Sequence, residues 1–470
     1  MVPRLGKSTG AAGERFIMAG DPESEKGARE TSKQRIYTPD RIAFLVVIFL
    51  MGGIYNHLNL PPFPVLTEGF VSTVRFVQDR MTSRPTIMQN IAYAGEGLVT
   101  HDPAAAQSGY TLVQGIMPGG PQLRMLDMNG REIHRWDIDF FAAWDDPQHL
   151  DVLPISKLWY NTQGFHPLPD GSVLVNVSDK GSVMLDRCSR PLWTVDRMTH
   201  HSVTAAGDGK YWIPSQIPLE ETAEKYFPPS FPRDRIASVM EEGYMSYNNS
   251  LTLIGEGGQV EREFSVLQAI FEADLEDAMT MSLFANPADP IHINDIEVVT
   301  TELADKISGV EPGDLLFSSR YMSMLAILDQ QDGHLKWHKR GPWVWQHDPD
   351  IMPDGTIEIF NNRNKATSQF VESSQILSYD PAADETRVLY PLEDGDSFYT
   401  SREGSHQRLE NGNILIAETM AGRIFEVTPE GETVWDYRLP YDDEVASMFE
   451  VGIRVPLDYF EVDDWSCAAD

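Results

Sequence analysis

Five histidines in this chain occupy similar places in segments that read as strand–turn–strand hairpins. Two such segments are "GFHPLPDGSVLV" and "WQHDPDIMPDGTIEIFNNR", where a histidine lies four or seven residues before an Asp-Gly turn. Asp-Gly favours tight hairpins because both central residues tolerate positive φ. The histidines are His166, His201, His292, His347 and His406. Polar residues that accompany them on the same or the returning strands are Asn294, Arg320, Arg363 and Thr419.

Imidazoles grouped with guanidiniums suit the binding and transfer of an anionic group. Guanidinium offers paired donors to sulfate or phosphate. A neutral imidazole is a nucleophile that can divide one group transfer into two easier steps, and a nearby arginine lowers the imidazole pKa and so keeps the ring neutral. The alternatives are five separate structural histidines, or zinc or copper held by three of them. Because the arginines disfavour a bare cation, we expect no metal and no cofactor.

A repeat along the chain could bring these residues together. Each unit closes with an apolar strand, a polar turn and a second strand that usually contains tryptophan. Successive units lie 57, 71, 73, 52 and 46 residues apart when aligned on Trp136, Trp193, Phe264, Trp337, Leu389 and Trp435. Such periods, with about four strands each, are typical of a β-propeller. We therefore predict an all-β, six-bladed β-propeller.

In a propeller the first strand of every blade lines the central channel, so we expect all five histidines to converge at one end of it. The sixth blade must combine the C-terminal stretch "FEVGIRVPLDYFEV" with the N-terminal stretches "SGYTLVQG", "LRMLD" and "IHRWDI". That shared blade closes the ring and removes free sheet edges. Insertions at 215–249 and 267–290 account for the two longest spacings.

Composition excludes several classes of protein. The chain has 470 residues and a formal net charge of −34. After residue 41 it carries 29 basic (37 − 8) and 65 acidic (71 − 6) residues, so we expect no nucleic acid partner, which needs a basic face. Cys188 and Cys467 are the two cysteines. With only these two, the sequence excludes a cysteine-ligated metal site. It leaves open whether the two form a disulfide bridge.

An uncharged apolar run over 42–60 predicts a transmembrane helix, because about 20 such residues span a bilayer. Lys33, Arg35 and Arg41 precede the run and the next basic residue is Arg75. The positive-inside rule then predicts a single-pass inner-membrane protein with a cytoplasmic N-terminus and a periplasmic propeller. We predict a disordered cytoplasmic tail at 1–41, the transmembrane helix at 42–60 and a linker or helical packing segment at 61–100. The propeller follows at 101–462, and a C-terminal tail at 463–470.

The motifs "SGYTLVQG…LRMLDMNGREIHRW", "IHINDIEVV…GDLLFSSR", "WQHDPDIMPDGTIEIFNN" and "HQRLENGNILIAET" resemble those of the bacterial arylsulfotransferase family over roughly residues 95–440. The resemblance implies a six-bladed propeller that moves a sulfuryl group from an aryl sulfate to a phenol through a sulfated histidine. Matched by motif, His347 is the nucleophile. The residues implied to hold the sulfuryl oxygens or to move the phenol proton are His292, Arg320, His201 and Asn294.

The other members of the expected ring, Arg363, His166, His406 and Thr419, are predicted to contact substrate. Two further functions stay open at this point. One is a non-catalytic propeller that serves as a scaffold or subunit of a membrane complex, which would give the protein a partner in the membrane. The other is a quinoprotein-like dehydrogenase, which would need a bound chromophore; the absence of adjacent cysteines in the sequence weakens it.

Overall fold

The computed structural model describes residues 84–85, 87–150, 152–240, 247–363, 373–392 and 397–467. These residues form six antiparallel sheets around a central channel, which confirms the six-bladed β-propeller. The predicted tail and transmembrane helix (1–60) lie outside the described residues. Within the described ranges, no helix combines the length and apolar character needed to cross a membrane.

Among the described residues, twenty-five strands build the blades. The first four along the chain are β1 (Gly97–His101), β2 (Tyr110–Met117), β3 (Gly120–Leu126) and β4 (Glu132–Asp137). Blade one contains β5 (Thr162–Pro167), β6 (Val173–Val177), β7 (Gly181–Leu185) and β8 (Pro191–Val195). Blade two contains β9 (Thr204–Gly207), β10 (Lys210–Gln216), β11 (Asn249–Ile254) and β12 (Val260–Ser265).

Blade three contains β13 (Ile293–Val298), β14 (Leu315–Ser319), β15 (Met324–Leu328) and β16 (Leu335–Arg340). Blade four contains β17 (His347–Ile351), β18 (Ile357–Asn361), β19 (Gln375–Asp380) and β20 (Glu385–Tyr390). Blade five contains β21 (Ser405–Arg408), β22 (Ile414–Glu418), β23 (Arg423–Val427) and β24 (Thr433–Arg438), and β1 adds a fifth, outermost strand to it.

Helices occupy the connections. They are α1 (Phe140–Ala143), α2 (Arg233–Met240), α3 (Val266–Glu272), α4 (Glu276–Ala285) and α5 (Thr301–Ala304). α2 belongs to the insertion of blade two, and α3 and α4 fill the insertion between blades two and three. The two insertions share one apolar cluster, in which Phe231 and Ile236 pack with Ile270 and Met279.

Blade six joins the two ends of the propeller. Its order is β25 (Met448–Val455), β2, β3 and β4, so the innermost strand comes from near the C-terminus, as predicted. β25 pairs with β2 from Tyr110↔Val455 to Ile116↔Met448. Gly115 lies where the register of this pair shifts, and a Cβ there would sit 1.8 Å from the Met448 carbonyl oxygen. Only glycine lets these two backbones approach so closely.

A buried ion pair reinforces this closure. Arg454 on β25 reaches Glu426 on β23 at 2.8 Å, and the two side chains are 1% and 0% exposed. Arg454 Nε also donates to Thr111 Oγ1 on β2 at 2.9 Å. One guanidinium therefore connects blade five to both chain ends in blade six.

The recurring tryptophans join neighbouring blades. Trp136 on the outer strand of blade six is fully buried, and its Nε1 donates to the Gly171 carbonyl in the first hairpin turn of blade one. Trp435 of blade five donates in the same way to the Met128 carbonyl of blade six. A large apolar ring with one N–H donor can thus fill the gap between two sheets and satisfy a turn carbonyl. This role explains why the sequence repeat is marked by tryptophan.

Cys188 and Cys467 form a disulfide with a Cα–Cα distance of 5.6 Å. Cys188 lies between β7 and β8, so the bridge fixes the C-terminal segment to blade one. Trp465 adds to this attachment, with its ring 5.6 Å from that of Trp136 in an edge-on arrangement. The sequence left open whether the two cysteines form a bridge, and in the structure they do.

Candidate active site

One end of the channel widens into a cavity of about 220 Å³ to which every blade contributes. Its polar lining includes one residue from each of blades one to six, namely Gln163, His201, Asn294, His347, Glu403 and Glu450. Such a site forms only when the ring is closed. The whole propeller is therefore the scaffold of the cavity.

Three of the five predicted histidines meet here. The ring of His201 lies 5.2 Å from that of His292 and 6.3 Å from that of His347, measured between centroids. His201 and His292 both have left-handed backbone, with φ of 56° and 53°. A non-glycine residue held in that region costs of order 1–3 kcal/mol and is typical of functional sites. The ring of His201 thus lies between those of His292 and His347, close to both.

Gly164 makes room for the loop that carries His201. A Cβ at Gly164 would lie 2.2 Å from the His201 carbonyl oxygen. That carbonyl also accepts a hydrogen bond from Asn176 Nδ2 at 3.0 Å. The glycine in the motif "GFHP" is thus required because blade two approaches the inner strand of blade one.

The hydrogen bonds of His347 define which of its nitrogens carries a proton. Asn362 uses its amide nitrogen to donate to the carbonyls of Thr400 (3.1 Å) and Glu403 (2.7 Å). Its Oδ1, 2.7 Å from His347 Nδ1, must therefore accept the Nδ1–H. Nε2 consequently bears the lone pair in the neutral ring. Asn362 is a positioning residue that the sequence prediction missed.

Burial and positive neighbours keep His347 neutral. The ring is buried, and this burial, followed by the charges of Arg320 and His292, holds the pKa of His347 well below its ordinary range, while the hydrogen bond to Asn362 opposes the shift. Burial also holds the pKa of His201 well below its ordinary range, with His200, His292, His347 and Arg320 adding to the effect. Both rings are then uncharged at neutral pH.

The lone pair of His201 is already engaged. Gln163 Oε1 accepts from the His201 backbone N–H at 3.2 Å, so its amide nitrogen faces His201 Nε2 at 3.4 Å. The remaining proton, on Nδ1, is directed to Nδ1 of His200 at 3.0 Å. His200 was not predicted, although it precedes His201 directly in the sequence. Between the two neutral rings, His347 has the better placed nucleophilic nitrogen.

Arg320 provides the positive charge of the site. It follows β14 directly, is 7% exposed, and its backbone N–H donates to the His292 carbonyl at 3.0 Å. The guanidinium carbon lies 4.4 Å from the ring centroid of Trp345 and 5.0 Å from that of Tyr321. Burial lowers the pKa of Arg320, yet an arginine remains charged in proteins. The aromatic faces hold this cation in one orientation.

His292 is positioned by a carboxylate. Its Nδ1 lies 2.5 Å from Asp289 Oδ2, and the Asp289 side chain is 8% exposed. The pair orients the ring and compensates a positive charge when His292 holds a second proton. Two residues on, Asn294 lines the cavity and donates Nδ2 to the Gln346 carbonyl at 2.6 Å. Its Oδ1 has no hydrogen-bond partner among the described residues.

His166 and His406 do not lie in this group, which corrects the expected ring of five. His166 pairs with Leu174, close to the hairpin turn at the other end of β5, and its ring packs 5.4 Å from that of Tyr211. His406 pairs with Ile416, and its Nδ1 lies 2.8 Å from Asp348 Oδ2. The physical reason is the distance from the hairpin turn: His166 lies four residues before Asp170 and His406 five before Asn411, whereas His347 lies seven before Asp354 and so begins its strand.

Arg363 is also placed differently from the prediction. Asn362, and not Arg363, follows β18 as Arg320 follows β14, and Arg363 has left-handed φ of 50°. Its Nη1 faces the Ser373 carbonyl at 3.5 Å. Thr419 does hold the corresponding position after β22 and is fully buried, and its substrate contact stays a prediction.

Five carboxylates that line the cavity were missed, namely Asp295, Glu297, Asp348, Glu403 and Glu450. Glu403 has left-handed φ of 54°, and burial raises its pKa while the charges of Arg402 and Arg320 oppose the shift. Burial, followed by the charge of Glu403, raises the pKa of Glu450 well above its ordinary value. Neither residue follows the histidine pattern, so only closure of the ring reveals them.

A sequence model of the arylsulfotransferase (ASST) family matches residues 165–439. No curated protein sequence matches the chain. Among solved structures, a protein of unknown function from Bacteroides caccae is similar at 10% identity and a TM-score of 0.44, over 72% of this chain and 97% of that one.

Two further similar structures have assigned names. Virginiamycin B lyase from Staphylococcus aureus has 10% identity and a TM-score of 0.34, over 63% of this chain and 84% of its own. Hydrazine synthase from Kuenenia stuttgartiensis has 10% identity and a TM-score of 0.39, over 66% of this chain and 71% of its own. The family match alone spans more than half of the sequence, from the inner strand of blade one to the end of blade five. The chain belongs to the arylsulfotransferase family.

Proposed function

We propose that the protein transfers a sulfuryl group from an aryl sulfate to a phenolic acceptor through a sulfated His347. The observation that carries the proposal is the Asn362–His347 hydrogen bond, which leaves the Nε2 lone pair on a neutral, buried ring beside Arg320. A neutral imidazole in a cationic pocket suits attack on an anionic ester.

In the first half-reaction, His347 Nε2 attacks the sulfur of the aryl sulfate. The N–S bond forms as the S–O bond to the aryl group breaks, and the departing phenolate takes a proton from His292. Asn362 Oδ1 accepts from Nδ1–H throughout and so stabilises the positive charge that develops on the sulfated ring. Arg320 contributes N–H donors for the sulfuryl oxygens, and Asn294 can add only the Nδ2–H that is not given to the Gln346 carbonyl.

In the second half-reaction, the acceptor phenol gives its proton to His292 as its oxygen attacks the sulfur. The new S–O bond forms, the N–S bond breaks, and His347 returns to its neutral state. Asp289 keeps His292 in place for both proton transfers. His201, whose Nε2 faces Gln163, serves to position the group and not to attack it.

Two measurements test this proposal. The protein is mixed with an aryl sulfate, and intact mass spectrometry should show one added SO₃ group on the wild type and none on His347→Ala. With a phenol added, the wild type should release the donor phenol continuously. His166→Ala, at the other end of an inner strand, is the matched control and should retain activity. Equal turnover by the wild type and His347→Ala would refute the proposal.

We also propose that the propeller faces an oxidising compartment, anchored by the predicted helix at 42–60. The Cys188–Cys467 disulfide supports this location, because disulfides persist mainly outside the cytosol. The test is fractionation and protease treatment of intact spheroplasts. Membrane-bound protein digested from outside agrees with the proposal, and soluble cytosolic protein with free thiols contradicts it.

A further inference from the structure

A second polar group lies on the inner strands of blades four and five. It consists of Asp348 and Asp350 on β17, Glu358 on β18 and His406 on β21. We call it the His406 cluster. His347, which directly precedes Asp348, has its own hydrogen-bond partner in Asn362, and Asp348 lines the same cavity as His347. None of its four side chains has a role in the sulfuryl transfer described above.

His406 is oriented as metal-binding histidines are. Its Nδ1 lies 2.8 Å from Asp348 Oδ2, which also accepts the His406 backbone N–H at 2.5 Å. A carboxylate on one ring nitrogen fixes the tautomer and directs the lone pair of the other nitrogen outward. Here the other nitrogen is Nε2, on a side chain with 0% exposure.

Nε2 is directed at two further carboxylates. It lies 3.7 Å from Asp350 Oδ2 and 3.8 Å from Glu358 Oε2. Both distances exceed a hydrogen bond, and neither Nε2 nor Glu358 Oε2 has a hydrogen-bond partner among the described residues. Two ligands on a tetrahedral ion with bonds of roughly 2.1 Å are about 3.4 Å apart. The two observed separations from Nε2 are a few tenths of an ångström wider. Asp348, Asp350 and His406 also offer ligand atoms that lie within 4.8 Å of one another, which is compatible with an ion among them.

The local charge also favours a cation. Arg408 Nη2 donates to Glu358 Oε1 at 2.7 Å, which leaves Oε2 available and compensates one carboxylate. Asp295 and Glu297 on the adjacent inner strand β13 are further carboxyl groups near the cluster, and burial together with the charge of Asp348 contributes to raising the pKa of both. More carboxylates than cations therefore face this part of the channel.

From this geometry we infer that the His406 cluster binds one divalent transition-metal ion, Zn²⁺ or Mn²⁺, through His406 Nε2, Asp350 and Glu358, with Asp348 orienting the histidine. One imidazole and two carboxylates suit these borderline ions. The ion connects β17 to β21 and thus fixes the strand that carries His347 against the neighbouring blade. This inference departs from the expectation of no metal and is independent of the sulfuryl-transfer proposal.

The test is titration of tag-free protein, stripped with a chelator and dialysed, with Zn²⁺ and separately with Mn²⁺ by calorimetry. The wild-type protein should bind one equivalent of metal ion. Binding should alter the EPR signal of Mn²⁺ and raise the Tm of the protein. Asp350→Asn, Glu358→Gln and His406→Gln should each weaken binding at least tenfold. Asp350 is a third exposed, so its variant is the one expected to fold normally, as circular dichroism would verify.

His334→Gln is the matched control, because His334 is an exposed histidine whose Nδ1 lies 2.6 Å from Asp332. Its binding should equal that of the wild type. Absence of a saturable equivalent in the wild type, undiminished binding in Asp350→Asn, or loss of binding in His334→Gln would each overturn the inference. In the first case His406 is an imidazolium that only pairs with its carboxylates. Sulfuryl transfer would be unaffected by any of these results.

Discussion

Replacing Asn362 by alanine should separate the positioning of His347 from the stability of blade four. Asn362 is fully buried and makes three side-chain hydrogen bonds. After truncation the Thr400 carbonyl still accepts from Ser374 Oγ at 3.3 Å. The Glu403 carbonyl and His347 Nδ1–H lose the Asn362 side chain as a partner. Each such group costs about 1–3 kcal/mol when left unpaired, so we expect a loss of roughly 2–6 kcal/mol in the free energy of unfolding.

The effect on catalysis should exceed what this instability causes. Without the Oδ1 acceptor, His347 is free to rotate or to move its proton to Nε2. The hydrogen bond that prevents this is worth about 1–3 kcal/mol, and its loss should lower kcat by about 5- to 150-fold. The assay follows release of the donor phenol by stopped flow. Quenched samples are analysed by intact mass spectrometry for the sulfated enzyme. Formation of that enzyme should slow, while the KM for the donor changes little.

Asn361→Ala is the matched control for this experiment. Asn361 is adjacent and also buried, and its side chain accepts from the Val344 N–H at 2.8 Å and donates to Gln375 Oε1 at 3.3 Å. Its truncation should destabilise the same blade without touching His347. Both variants are measured below the lower of their two Tm values. If kcat of Asn362→Ala lies within twofold of that of Asn361→Ala, the reasoning about the tautomer is wrong.

Three other predictions concern titration, closure and the disulfide. Since burial and neighbouring cations hold the pKa of His347 well below 6.5, the ring stays neutral as pH falls through that value. The acid limb of kcat/KM should then lie well below pH 6.5, and a limb centred at or above 6.5 would contradict this. Arg454→Met leaves buried Glu426 without its cation and should lower the free energy of unfolding in urea by about 3–5 kcal/mol. The double variant Arg454→Met/Glu426→Gln should regain part of that loss. An unchanged unfolding midpoint would show that the pair contributes no stability. Cys467→Ser opens a link across 279 residues, for which loop entropy sets an upper bound of about 5–6 kcal/mol. Its Tm should match that of reduced wild type, and a Tm equal to that of the oxidised protein would contradict the stabilising role.

The blade number and the closure were predictable because their signals are local. Hairpin turns and a large outer-strand side chain recur in each blade, and two of these side chains, Trp136 and Trp435, make the same contact with the next sheet. The strands at the N- and C-terminal ends of the propeller belong to no other blade and had to pair with each other, as β2 and β25 do. The sequence period decides the number of blades, and the need to cover sheet edges decides the closure of the ring. Neither prediction requires knowledge of contacts between residues that are distant in the sequence.

The depth of each side chain in the channel was not predictable in the same way. A bulge displaces a strand by one residue relative to its partner, and such irregularities occur in the inner strand pairs of every blade except blade five. His166 lies outside the group that contains His201 and His347 because it is only four residues from its Asp-Gly turn, whereas His347 is seven residues from its own. Glu450 reaches the cavity only from the last strand to join the ring, and in the sequence it resembles any acidic residue of this acidic chain.

The position of β25 has a consequence for the order of events during synthesis. β2 is complete by residue 117, while its partner ends at residue 455. At bacterial elongation rates of about 5–20 residues per second, the ribosome adds the intervening stretch in about 17–70 s. Throughout that interval β2 presents an uncovered edge of the kind that promotes aggregation. Newly made chains should therefore depend on a holding chaperone, and every molecule stays inactive until translation has passed its final inner strand.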